Sequence, residues 1–284
     1  MKSAILLLPF LFTAAAFADE CTNWQTEHPA WLFCDDFESG SLGSWEDVTD
    51  ITIASGTGKK HNGTYSAQLF YPNGSEGAGW MWKKALRPDN ANNDAQYVRW
   101  WQRWEPGFEW NNGPSGDQKL FMLQALEPQS GWGQTASWKI YVHLVGQEHS
   151  GQGVLLNEPY FDRFIWSGGS QWDGQWMGMQ QNSTVYRYQT DKWECTEIEV
   201  VHNTPGSSDG RVRVWLNDVL AMDRNNIKLR DEAVSWNALQ LNGWYGSPGV
   251  PKNQYSWVDQ VVVSTERIGC SHAQSSPKNV QVVP

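Results

Sequence analysis

Tyr97, Arg99, Trp101 and Arg103 alternate along YVRWWQRW, the segment whose residue types come nearest to chemistry in this chain. Such a short, aromatic run predicts a strand rather than a helix, and alternation sorts it into two faces. One face holds Tyr97, Arg99, Trp101 and Arg103; the other holds Val98, Trp100, Gln102 and Trp104. Two cations beside flat aromatic surface suit a sugar chain that carries acidic groups, with Trp101 stacking and Arg99 and Arg103 holding the acids. The competing reading is a Trp-rich sheet whose arginines cap its edge. After a polar Gly/Pro-rich loop, a second strand over Lys119–Gln124 adds Lys119 beside an apolar run.

Composition narrows the partner. The chain has 284 residues and a formal charge of −10, from 21 Lys and Arg against 31 Asp and Glu. That balance argues against nucleic acid, which demands a basic face. It tolerates an acidic polymer only if the cations gather locally. The 19 tryptophans exceed what a core needs, and large rings are common platforms for sugars. Residues 1–18 read as a secretory signal peptide: Lys2, an apolar stretch Ala4–Phe12, then Ala16-Phe17-Ala18. The apolar run is too short to span a bilayer, so no membrane span is expected. Four cysteines, Cys21, Cys34, Cys195 and Cys270, fit an oxidising compartment and allow three pairings. The short loop between the first two favours Cys21–Cys34 with Cys195–Cys270. They lack the C-x-x-C spacing of a zinc site.

The remaining pattern is of short strands separated by turns. Two flank a Gly/Asn turn within Ile51–Tyr71, and WKIYVHLVG places Lys139, Tyr141 and His143 on the face opposite Trp138, Ile140, Val142 and Leu144. Residues 147–181 read as long loops with one short strand near Trp176–Gln180, and a single helical turn is expected near Leu229–Ala233. Strands resume from Val185 onward, with a turn at Ser208-Asp209-Gly210. The expectation is an all-β antiparallel sandwich or jelly roll with one concave sheet face. Its bounds run from residue 34 to residue 270, after an arm over 19–33 and before a loose tail over 271–284.

The motifs DDFESG (35–40), NGTYS (62–66), W-x-C-x-E (193–197), NTPGSSDGRVRVWLNDVL (203–220) and WVDQVVVSTERIGC (257–270) resemble the concanavalin A-like jelly rolls. Among these the chain looks most like the polysaccharide lyase-like branch of alginate, glucuronan and heparinase-type lyases. The resemblance implies a structural calcium ion between Glu38 and Asp259, with oxygens from the Asn62–Ser66 loop. It also implies a catalytic set: Lys119 in KLFML, Tyr141 and His143 in YVH, and Tyr186 with Tyr188 in YRY. Phe-Met stands where the alginate lyases favour Pro-Gly, and His143 where they show a basic partner.

β-Elimination at a uronate asks for three services: neutralising the carboxylate, removing the C5 proton, and protonating the leaving oxygen. Arg99, Arg103 or Lys119 could neutralise. His143 titrates near neutrality and suits the base, as would a tyrosine beside cations; Tyr186 or Tyr188 could be the acid. Parity makes Arg99/Arg103, Tyr141/His143 and Tyr186/Tyr188 same-face pairs, expected to converge in one groove. The E-x-D-x-x-E strand of retaining glucanases is absent, although Glu194, Glu197 and Glu199 offer carboxylates. So are G-x-S-x-G, HExxH and phosphate loops. The leading expectation is therefore a secreted lyase acting on an acidic, uronic-acid-containing polysaccharide. The alternatives are a non-catalytic carbohydrate-binding jelly roll and, behind it, a glycoside hydrolase.

Overall fold

Alternating apolar and polar residues, interrupted by glycine and Asx turns, make the regular structure of the described residues almost all strand. The computed structural model describes residues 20–84, 86, 95–110, 117–125, 138–145, 156–163, 175–176, 180–181, 184–185, 188–227 and 237–270. A four-residue helix, α1 (Trp24–Glu27), precedes β1 (Trp31–Asp35), β2 (Glu46–Thr49), β3 (Ile51–Ser55), β4 (Tyr65–Tyr71) and β5 (Gly77–Lys83). Then come β6 (Ala95–Trp104), β7 (Asp117–Ala125), β8 (Trp138–Val145), β9 (Leu156–Arg163), β10 (Gln175–Trp176), β11 (Gln180–Gln181) and β12 (Thr184–Val185). The last strands are β13 (Glu194–Val201), β14 (Gly210–Leu216), β15 (Val219–Ile227), β16 (Ala238–Trp244) and β17 (Gln254–Ser264). The helical turn expected near 229–233 lies outside the described residues.

Two large antiparallel sheets result, with β11 and β12 pairing as a separate two-stranded one. One has eight strands in the order β15-β14-β13-β6-β17-β4-β3, with β1 also on β17; the other has seven, β10-β9-β8-β7-β16-β5-β2. Consecutive strands of the chain thus alternate between sheets in places, as a jelly roll requires. Val98, Trp100, Gln102 and Trp104 of β6 are fully buried. The Trp100 ring lies 4.1 Å from that of Phe121 in β7, joining the two layers. Val212 and Val214 of β14 and Leu239 and Leu241 of β16 fill the same core. The alternation read in YVRWWQRW is therefore real, and Val98–Trp104 is its inner face.

Both favoured disulfides form, Cys21–Cys34 and Cys195–Cys270. The β14–β15 hairpin turns at Asn217 and Asp218, both left-handed (φ 50° and 65°), as a two-residue hairpin loop needs. Their side chains brace the second disulfide: Cys195 N donates to Asn217 Oδ1 (2.9 Å) and Cys270 N to Asp218 Oδ1 (3.0 Å).

Candidate functional site on the outer face of the seven-stranded sheet

Phe121 and Leu123 enter the core, so the alternating positions of β7, Met122 and Gln124, belong to the outer face. In β16 the same logic sends Leu239 and Leu241 inward and puts Gln240 and Asn242 on the opposite face, where Gln240 is buried and Asn242 partly exposed. Backbone register carries this face across the sheet. Glu46 opposes Trp82, Trp82 opposes Gln240, and Gln240 opposes Met122. Met122 opposes Tyr141, Tyr141 opposes Tyr160, and Tyr160 opposes Trp176. One row of positions crosses all seven strands.

Beside it runs a second row. A register irregularity between Lys119 and Phe121 pairs Lys119 with His143, and His143 in turn opposes Glu158 of β9. Such a bulge swallows one extra residue, Leu120, which is buried with Phe121. Positions 119, 141 and 143 therefore share one face, with neighbouring strands about 4.8 Å apart. A cation, an imidazole and a phenol are thus assigned to adjacent register positions, bordered by the Glu158 and Tyr160 positions. Sequence reasoning missed β9, taking its region for loop. Pro159 in mid-strand and glycine-rich flanks obscured it, though Glu158, Tyr160 and Asp162 do alternate in LNEPYFDR.

The cationic face of β6 is not part of this surface. β6 belongs to the eight-stranded sheet and β7 and β8 to the other, so the expected convergence of Arg99 and Arg103 with Lys119 is overturned. The alternation was right, but it does not reveal which sheet a strand joins. Arg99 is 1% exposed and engages Glu20 through two bonds (2.8 and 2.6 Å), with Gln260 O at 3.3 Å. Trp101 is covered by the His61 ring, stacked at 3.6 Å. Arg103 bonds Gly58 O and Asp191, and its guanidinium lies over Trp257 at 5.5 Å. These side chains are structural cross-links between loops. Tyr188 also departs from expectation. It is 2% exposed, packs its ring edge-on to Trp104 at 5.0 Å, and shares a hydrogen bond with Thr196 Oγ1 inside the core. Tyr186 lies outside the described residues.

The carboxylates that a hydrolase would need are engaged elsewhere. Glu197 accepts from Ile268 N (2.7 Å) and Gly269 N (3.1 Å), while Glu199 accepts from Tyr97 OH (2.6 Å) and Arg211 (2.8 Å). Burial raises the Glu197 carboxyl above its ordinary range, against the opposing pull of those two N–H groups.

Glu38 and Asp259 clasp a single loop. Glu38 Oε1 accepts from Thr64 N (2.7 Å) and Tyr65 N (2.8 Å); Asp259 Oδ2 accepts from His61 N (2.8 Å) and Asn62 N (3.3 Å). A register slip in the β17–β6 pairing after Asp259, with Gln260 at φ 48°, aims Asp259 at that loop. Gly63, at φ 61°, fits against the Glu38 carboxylate where any Cβ would collide. Burial pushes the Asp259 carboxyl up to about 8; three backbone N–H groups oppose this, and the charge of Glu38 adds to it. Hard carboxylate oxygens are the ligand type of a cation such as Ca²⁺, but here Glu38 Oε1 and both Asp259 oxygens accept backbone N–H groups. Among the described residues no third Asp, Glu, His or Cys joins them, so further ligands would be backbone or amide oxygens and water.

Comparison with known proteins follows the same lines. Residues 169–261 match the family model Polysaccharide lyase 14. No curated protein sequence matches the chain. Among solved structures, the endo-β-1,4-glucuronan lyase of the fungus Trichoderma reesei superposes with a TM-score of 0.59 at 13% identity, covering 83% of this chain and 96% of that one. The marine PL-14 alginate lyase of Aplysia kurodai gives 0.57 at 16% identity, covering 83% and 99%. An alginate lyase from a Chlorella virus gives 0.54 at 18%, covering 80% and 96%. The chain thus has the jelly-roll fold of the alginate and glucuronan lyases, and over residues 169–261 it carries the sequence pattern of polysaccharide lyase 14.

Proposed function

We propose that this chain is a secreted polysaccharide lyase that cleaves a uronic-acid-containing glycan by β-elimination. The observation that carries the reading is the pairing of Lys119 with His143, with Tyr141 on the same face, in a chain matching a lyase family. Of the three cations Arg99, Arg103 and Lys119, Lys119 is the one on this sheet, and it neutralises the uronate carboxylate. His143 takes the C5 proton. Tyr141 delivers a proton to the leaving oxygen. Glu38 and Asp259 would hold a calcium ion that cross-links the 61–65 loop to β17 and takes no part in the chemistry. Two disulfides support an exported protein. No helix among the described residues is long and apolar enough to cross a membrane.

Incubation with a panel of polyuronates tests the reading. A lyase generates an unsaturated uronate that absorbs in the ultraviolet as chains shorten. New reducing ends without that absorbance mean hydrolysis, and retention of polymer with neither signal means binding alone.

A further inference from the structure

Trp80 is the one exposed tryptophan among the described side chains, with 41% of its surface in solvent. Leaving so large a ring exposed forgoes burial worth about 1.5–3 kcal/mol to an apolar side chain. Its placement is built into the backbone. Gly79, at φ 89°, adopts a conformation and a closeness to the Thr49 carbonyl that no Cβ would permit. Between Trp80 and Gly77 the β5–β16 register slips, so that Asn242 opposes Trp80 while Trp244 opposes Gly77. Bulges of this kind re-aim side chains. Asn242 is held by its own bonds, Nδ2 to Gln240 Oε1 (2.9 Å) and Oδ1 from Trp244 N (2.8 Å), and so forms a fixed neighbour to the ring.

Trp80 lies on the same outer face as the Lys119–His143 pair. Met81 and Leu241 point into the core, so Trp80, Trp82, Gln240 and Asn242 alternate on the opposite face; Trp82 and Gln240 are buried there, while Trp80 is open to solvent and Asn242 partly so. From β5 through β16 and β7 to β8 the sheet order is continuous. Three strand spacings, about 14 Å, therefore separate the Trp80 position from that of His143. A glycan laid across the strands covers that distance with a few sugar rings. The exposed indole matches the apolar face of a pyranose and is indifferent to the charge of its carboxylate.

We propose that Trp80 is a distal stacking subsite for the same polysaccharide, which makes the protein favour long chains over short oligosaccharides. The direction of the groove rests on the lyase reading, whereas the subsite itself rests on Trp80 and its face. Trp80→Ala and Trp80→Phe are compared with wild type on a trisaccharide, a hexasaccharide and polymer of the polyuronate cleaved. Trp80→Ala should raise KM several-fold for hexasaccharide and polymer, leave kcat within about twofold, and leave the trisaccharide unaffected. Trp80→Phe should recover most of the loss, with melting temperatures unchanged throughout. Equal losses on short and long substrates, or no loss on either, overturn the proposal. If no polyuronate is cleaved, the lyase reading fails, and electrophoretic retardation in polyuronate gels decides the subsite separately. Wild type retarded more than Trp80→Ala supports it; equal retardation, or none for wild type, overturns it.

Discussion

Arg99 and Trp101 show what residue types alone could and could not reveal. Their side chains share a face, as alternation requires, yet that face carries loop cross-links. Arg99 joins Glu20, next to the Cys21–Cys34 disulfide, to Gly269, next to Cys270, in bonds of 2.6–3.4 Å. Removing one partner of a buried pair strands the other charge, so Arg99→Ala should destabilise the fold by about 3–5 kcal/mol in denaturant titration. Trp101→Ala should cost about 2 kcal/mol, less than a wholly buried aromatic because the ring is only partly enclosed. It should leave retention by polyuronates unchanged. Weakened retention with intact stability would return Trp101 to the binding surface. The roles of these side chains were not legible beforehand, because their partners His61, Glu20 and Asp191 lie far away in sequence. Tyr188 was misplaced for a similar reason: a Tyr-x-Tyr pair has a parity, but nothing local says that Trp104 and Thr196 enclose one member.

At the scale of elements, the strands with clean alternation were readable, among them β6, β7, β8 and the β3–β4 hairpin. Irregular features were less so. The bulge that pairs Lys119 with His143 leaves no mark in KLFML, and Pro159 hides β9. The disulfides were accessible by loop length, and loop length also ranks them. Cys195–Cys270 spans 75 residues and Cys21–Cys34 spans 13. In the chain-entropy account these constrain the unfolded state by about 4.5 and about 3 kcal/mol. Replacing Cys195 and Cys270 by alanine should therefore lower the melting temperature more than replacing Cys21 and Cys34. The opposite order would show that the N-terminal arm, rather than the hairpin brace at Asn217 and Asp218, holds the sandwich closed.

For the whole molecule, the two sheets divide the work. The eight-stranded sheet gathers the arginine cross-links, both disulfides and the Glu38–Asp259 clasp. The seven-stranded sheet presents the polar and aromatic rows on which the proposed chemistry rests. In the proposed function this division resolves the tension between an acidic chain and an acidic substrate without a broad basic surface, since Lys119 would act locally. In the proposed function it also places the calcium site and the catalytic residues on different sheets. Exhaustive chelation should lower the melting temperature, calcium should restore it, and Asp259→Asn should be insensitive to both. A melting curve that ignores chelator and calcium alike would remove the ion from the account.

The most direct test of the central claim is His143→Ala, assayed on the polyuronate that wild type cleaves. A base contributes about 10²–10⁴-fold to rate, and mainly in the transition state. The account predicts that the ultraviolet signal of the unsaturated product falls by at least that lower factor, while retardation by the polymer stays within a few-fold of wild type. A variant that turns over at the wild-type rate would contradict it.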